Sequence, residues 1–256
     1  MNAATSKGTL YLVPTPLDFG CDTPASITDV LPSETLRVAA SVTHWITENA
    51  KSTRAFLKRV DAHAPLAKTI QENTITELPR EVHKKGDHTG GFDAKPLLQA
   101  ALAGHDVGLV SEAGMPAVAD PGSSVVRAAH ELGIRVVPLV GPVSLLLALA
   151  ASGLNGQNFA FVGYLPQDSA ARTQRLRELE NLAIKQGQTQ MFIETPYRNQ
   201  ALWDALVNGL QGNTRLARAS GLTMANMQVH CKTVQAWRSV GKAQTASDPT
   251  VFLIGK

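Results

Sequence analysis

Three short loops hold the residues best suited to gripping a ligand: Pro14-Thr15-Pro16, Ser111-Glu112-Ala113-Gly114-Met115-Pro116 and Gly141-Pro142-Val143-Ser144. Each follows an apolar run of strand type, at Thr9 to Val13, Val107 to Val110 and Ile134 to Val140. Loops that leave the carboxyl ends of parallel strands are where open α/β sheets bind ligands. Glu112 adds a carboxylate that can accept from a hydroxyl or an ammonium group. Ser144 has two compatible uses, as a cap for a helix over Leu145 to Ala151 or as a ligand contact. Glu48 and Arg54 can be read as a solvated helix pair.

The elements that must position these loops follow from the pattern around them. Val107 to Val110 is short and apolar throughout, as suits a strand covered on both faces. Asp120 and Pro121 read as the cap and first residue of the next helix, and Gly133 as its left-handed end. Thr9 to Val13 is a strand stopped by Pro14. Pro32-Ser33-Glu34 opens a helix with Ser33 as its cap, Val38 to Ile46 reads as strand or mixed, and Ser52 to Val60 as a basic helix. Ile75 to Phe92, with Lys84-Lys85-Gly86-Asp87-His88-Thr89-Gly90-Gly91, reads as an exposed loop. Ala94 to Ala103 has helical spacing and ends at Gly104.

After Gly153 the rhythm changes. The turn cluster Asn155-Gly156-Gln157-Asn158 marks the expected boundary between domains at 1–154 and 155–256. Strands are expected at Phe159 to Tyr164, Thr189 to Ile193, Leu216 to Ser220, Val229 to Val234 and Val251 to Ile254. Helices are expected at Ala170 to Gln186 and Gln200 to Leu210. The fold class is therefore α/β in both halves, with a mostly parallel N-terminal sheet and a mixed C-terminal one.

Composition narrows the function. Charged residues make up 18% of the chain, below the usual share, which suits an α/β enzyme with buried strands. The net charge of +3 permits a nucleic-acid partner without arguing for one. Cys21 and Cys231 lack ligand spacing, so neither a disulfide framework nor a metal is expected. No stretch is long and apolar enough to span a bilayer, and a cytoplasmic location is expected. The dinucleotide fingerprint, the P-loop, zinc-hydrolase and serine-hydrolase motifs are all missing.

Read in order, the loops resemble one family. Gly8-Thr9-Leu10-Tyr11-Leu12-Val13-Pro14-Thr15-Pro16 is similar to the opening strand of the tetrapyrrole methylase superfamily of S-adenosylmethionine-dependent methyltransferases. Leu109 to Pro116 with Asp120-Pro121-Gly122 is similar to its signature, S-D-A-G-x-P followed by D-P-G. Gly141-Pro142 with Ser144, Gly163-Tyr164-Leu165-Pro166 and Glu194-Thr195-Pro196-Tyr197-Arg198 follow in the family's order. Within it, the chain most resembles the branch that 2′-O-methylates a cytidine of bacterial 16S ribosomal RNA.

The resemblance implies two α/β domains, a cofactor cleft between them and a homodimer. It implies S-adenosylmethionine contacts at Pro14, Ser111, Glu112, Ala113, Met115, Val143, Ser144, Ile193, Glu194, Ala217, Pro249 and Thr250. It implies a substrate side with Glu48 as the base for a ribose hydroxyl, and with Arg54, Arg172 and Arg198 on RNA, either free or in the 30S subunit. Arg172, Arg175 and Arg177 most often mean an exposed helix face, with an RNA-backbone grip as the alternative, and Glu194 can also be read as a structural or capping residue. Two departures stand out: the signature aspartate is Glu112, and the branch's E-D-T-R-x-T-R segment reads Glu48-Asn49-Ala50-Lys51-Ser52-Thr53-Arg54. They keep two alternatives open, a methylase of a tetrapyrrole or other small molecule and a non-catalytic cofactor-binding protein.

Overall fold

The computed structural model describes residues 6–18, 21, 24–85, 87, 91–240 and 248–256. What the sequence suggests for residues 1–5, for Gly86 and for His88 to Gly90 lies outside that set. The chain divides into two compact units, at 1–142 and 143–256.

The first unit comprises β1 (Thr9–Val13), α1 (Ile27–Val30), α2 (Ser33–Ser41), β2 (His44–Thr47), α3 (Ala50–Asp61), β3 (Thr74–Glu77), α4 (Arg80–Lys85), α5 (Gln99–Leu102), β4 (Val107–Val110), α6 (Ser123–Glu131) and β5 (Arg135–Pro138). The strands form one parallel sheet in the order β3-β2-β4-β1-β5. Alternation along the strands sends side chains to two cores. Val13, Trp45 and Val110 meet α1, α2 and α3 on one face. Leu10, Ile46, Val107 and Leu109 meet α5 and α6 on the other. All of β4 is buried, as a central parallel strand must be.

The chain leaves β2 toward β3 at one edge and leaves β4 toward β5 at the other. Connections that diverge from neighbouring strands leave a crevice at their carboxyl ends. Glu48 follows β2, and Ser111 and Glu112 follow β4, so both border that crevice.

Several expectations are corrected. Of the two readings of Val38 to Ile46 the mixed one holds, divided between the end of α2 and β2, because Leu36, Ala39 and Ala40 pack at helical spacing. Pro32 is the N-cap of α2, and Ser33 makes no capping bond. Asp120 does not cap α6. That helix starts at Ser123, and Asp87 accepts from the N–H groups of Gly122 (2.9 Å) and Ser124 (2.8 Å) and the hydroxyls of Ser123 (2.8 Å) and Ser124 (2.6 Å). Asp87 itself is 4% exposed, not the solvated loop residue expected. The same stretch carries β3 and α4. Gly133 does end α6, with φ of 61° and Ile134 N–H reaching back to the Ala129 carbonyl.

The second unit comprises α7 (Ser144–Ser152), β6 (Phe159–Tyr164), α8 (Ser169–Gln186), β7 (Thr189–Ile193), α9 (Asn199–Gly209), β8 (Arg215–Ser220), β9 (Gln228–Thr233), α10 (Val234–Ser239) and β10 (Thr250–Gly255). Its sheet runs β6-β7-β10-β8-β9, with β6 and β7 parallel and the remaining pairs antiparallel. The mixed sheet agrees with the expectation. The compact units divide at Pro142/Val143, ahead of the turn cluster at Asn155, since α7 packs on β8, β9 and β10. Val234 begins α10 instead of ending a strand, because Thr233 caps that helix through Ala236 N–H.

Candidate active site

In the first unit, the loop after β1 is stitched to the loop after β4. Thr15 N–H donates to the Gly114 carbonyl at 3.0 Å, and Gly114 N–H donates to the Thr15 carbonyl at 3.1 Å. The loop after β5 comes equally close. A Cβ on Gly141 would lie 2.3 Å from Pro14 Cγ, so only glycine fits there. Pro14 and Ser111 to Met115, expected around the cofactor, are thus brought to one sheet end.

Glu48 joins this group from β2. Its Oε2 accepts the Glu112 N–H at 3.3 Å. Beyond it, Asn49 Oδ1 accepts from Lys51 N–H (2.9 Å) and Ser52 N–H (3.3 Å), capping α3. The asparagine that departs from the branch's pattern therefore serves as an N-cap. Glu77, at the end of β3, accepts the Ala50 N–H at 2.7 Å. Arg54 stands exposed on the same helix.

Asp120 is the group that sequence reasoning placed wrongly. Half-buried, it is pushed up to about 7, first by burial, then by the Glu48 and Glu112 charges, against a hydrogen bond with Ser111. Two left-handed alanines, Ala117 at φ of 63° and Ala119 at 68°, precede it in the loop. Non-glycine residues in this conformation cost energy and cluster at functional sites. Its sequence signal was the D-P-G motif, which points equally to a helix start.

A cavity of about 410 Å³ opens at the same sheet end, lined by Thr15, Asn49, Ser52, Ala55, Ser111 and Glu112 among others. Asp18 and Arg59 line it too. The Arg59 guanidinium holds both Asp18 oxygens at 3.0 Å and donates to the Ala25 carbonyl at 2.7 Å. This fork ties the chain after β1 to α3, and nothing in the residue pattern pairs the two in advance.

The second unit gathers part of its expected set. Ile193 pairs with Val251 and Thr250 with Ser220, so Ile193, Glu194, Pro249 and Thr250 share one sheet end. Ala217 lies farther along β8, buried and paired with Leu253. Val143 is the N-cap position of α7, and Ser144, its first residue, makes no capping bond. Glu194 accepts from the Thr195 N–H at 2.7 Å and from Arg198 Nη2 at 2.7 Å. That hydrogen bond, with the neighbouring negative charge, raises the Arg198 guanidinium further. Arg198 also lies 5.2 Å from the ring centre of Tyr197, which is 80% exposed. Arg172 is exposed and donates to the Gln167 carbonyl, and Arg175 pairs with Glu178, as an exposed helix face would.

Among the described residues, no three His, Cys, Asp or Glu side chains converge as metal ligands, and no helix is long and apolar enough to cross a membrane.

The family model Tetrapyrrole (Corrin/Porphyrin) Methylases matches residues 30–236. The chain belongs to this family. A Vibrio cholerae ribosomal RNA small subunit methyltransferase I is 32% identical over 214 residues, 84% of this chain and 65% of that protein. The Pseudomonas aeruginosa protein of the same name is 33% identical over 193 residues, 75% of this chain and 58% of its own length. The chain thus spans less than two thirds of these relatives. Among solved structures, uroporphyrin-III C-methyltransferase from Thermus thermophilus complexed with S-adenosylhomocysteine is 17% identical at a TM-score of 0.54, covering 97% of this chain and 98% of that one. The methyltransferase CobJ is 18% identical at 0.54, covering 97% and 94%. At such identities these neighbours establish the fold, a tetrapyrrole methylase fold, and no substrate.

Proposed function

We propose that this tetrapyrrole methylase is an S-adenosylmethionine-dependent methyltransferase acting on ribosomal RNA of the small subunit, at a ribose 2′-hydroxyl of a cytidine. One observation carries the reading. A family signature loop, tied to Thr15 and Glu48, borders the crevice of a parallel sheet in a chain that aligns over 84% of its length with a small subunit RNA methyltransferase.

The groups present suit the cofactor. The Glu112 carboxylate can take a ribose hydroxyl or an ammonium group, and the turns at Pro14 and at Ser111 to Met115 present main-chain donors and acceptors. Bound there, S-adenosylmethionine would supply a methyl group on a positively charged sulfur, open to in-line displacement. Under this reading Val143, Ser144, Ile193, Glu194, Ala217, Pro249 and Thr250 keep their assignment to the cofactor, and Arg54, Arg172 and Arg198 theirs to RNA. Glu48 takes the proton of the attacking hydroxyl, since a protonated ribose hydroxyl is a poor nucleophile. The protein's larger contribution is orientation of the acceptor. Following the family, the enzyme acts as a cytoplasmic homodimer.

Titration calorimetry with S-adenosylhomocysteine and label transfer from S-adenosylmethionine to 30S subunits test the reading. Binding together with label in RNA is the expected result. Binding with label only in a small molecule would move the activity to another substrate, and binding without any transfer would leave a cofactor-binding protein.

A further inference from the structure

The cavity at the ends of β1, β2 and β4 shares Ser111 and Glu112 with the signature loop, and its opposite wall is α3. That helix carries a row of cations. Lys51, Arg54 and Lys58 stand at i, i+3 and i+7, one face of a helix, and all three are exposed. Among the described residues none of them pairs with a carboxylate. Arg59 is not part of the row, because its guanidinium is engaged by Asp18 and the Ala25 carbonyl.

The helix end itself is not free to hold an anion. Ala50 N–H goes to Glu77, Lys51 and Ser52 N–H go to the Asn49 side chain, and Thr53 N–H goes to the Asn49 carbonyl. The first-turn donors that usually bind phosphate are thus satisfied internally. What this face offers an anion is long side chains, repeated about every 5.4 Å of helix rise.

We infer that the cavity seats the acceptor nucleotide of a single-stranded RNA segment, turned out of its stack, and that Lys51, Arg54 and Lys58 carry the phosphates of the flanking chain. The inference rests on the RNA reading above and specifies where the substrate lies. Loops of single strand are the usual targets of sequence-specific RNA recognition, and their unstacked nucleotides can be splayed out into a pocket. A ribose seated between α3 and the signature loop lies against Glu112, whose N–H the Glu48 carboxylate accepts.

Binding of a labelled single-stranded oligoribonucleotide, followed from 50 to 300 mM salt, tests the row of cations. Each lost phosphate contact lowers the slope of log affinity against log salt by about 0.7. The triple variant Lys51→Gln/Arg54→Gln/Lys58→Gln should therefore flatten the slope by about 2. Ala55→Trp, which fills the cavity from an exposed helix position, should cut methyl transfer to 30S subunits roughly 100-fold by displacing the acceptor. It should leave the salt slope and S-adenosylhomocysteine affinity alone. An unchanged slope in the triple variant, or full transfer by Ala55→Trp, overturns the inference. Unmutated protein that binds S-adenosylhomocysteine but neither holds the oligonucleotide nor labels 30S subunits overturns the RNA reading itself.

Discussion

Glu48 Oε2 accepts the backbone N–H of Glu112 at 3.3 Å, joining the end of β2 to the end of β4 across the point where the sheet's connections diverge. The contact explains how one carboxylate can serve two ends. It anchors the signature loop through a main-chain group, and under the proposed function it also takes the proton of the acceptor hydroxyl.

The two roles separate by substitution. Glu48→Gln keeps an oxygen that can accept from Glu112 but removes the base. Methyl transfer should fall by about 10² to 10⁴ while calorimetry finds S-adenosylhomocysteine affinity unchanged. Glu48→Ala removes the anchor as well, so cofactor affinity should also weaken, by roughly tenfold. Full turnover in the Gln variant would remove Glu48 from the chemistry.

Asp120 gives the first unit a pH dependence of unusual sign. Its pKa is about 7 in the fold, from burial and the Glu48 and Glu112 charges, and about 4 in the unfolded chain. Between those values the folded state binds the extra proton, so stability declines as pH rises from about 4 to about 7 and the penalty is complete above that. Asp120→Asn should therefore stabilise the protein by on the order of 2 kcal/mol at pH 8, discounting for partial solvent access, and by almost nothing at pH 4. Melting curves across that range check it. Equal gains at both pH values would mean that Asp120 holds no such proton.

Asp87 should behave oppositely. Burial pushes its carboxyl up, but hydrogen bonds from Ser124, Ser123 and Gly122 outweigh burial and hold it below the usual range. Asp87→Ala leaves these donors without an acceptor and should cost about 2 to 4 kcal/mol in urea denaturation near neutral pH. Because the native carboxyl is lowered, its contribution is present above the unfolded value near 4 and lost as pH falls through the folded one, so the gap between variant and parent should narrow in acid. A gap that stays constant on acidification would show that Asp87 acts through packing alone.

These groups also show where sequence reading stops. The three loops that meet at the strand ends could be read because each follows a short apolar run and breaks at proline or glycine, which is local information. The mixed second sheet was legible from strand spacing. Asp87, Glu77 and the Asp18–Arg59 fork were not, since each is a partnership across many residues that no local period encodes. Asp120 was misassigned because an Asp-Pro pair is as good a helix start as a loop. The register that places it beside Ser111, with Glu48 and Glu112 nearby, exists only in the folded sheet.

The substitution of Asn49 within the branch's basic segment can be weighed directly. Asn49 caps α3 through two N–H groups, so Asn49→Ala should cost about 1 kcal/mol. Asn49→Asp restores the residue of the E-D-T-R pattern. As a cap it is the equal of asparagine, and its charge sits favourably at the helix N-terminus, worth roughly 0.3 to 1 kcal/mol at low salt and less as salt rises. The same charge lies next to Glu48 in sequence and lines the proposed acceptor cavity. Phosphate-bearing substrate should consequently bind more weakly to Asn49→Asp even as the protein melts higher. Paired melting and RNA-binding measurements decide the matter, and tighter RNA binding by the aspartate variant would place the substrate somewhere other than against α3.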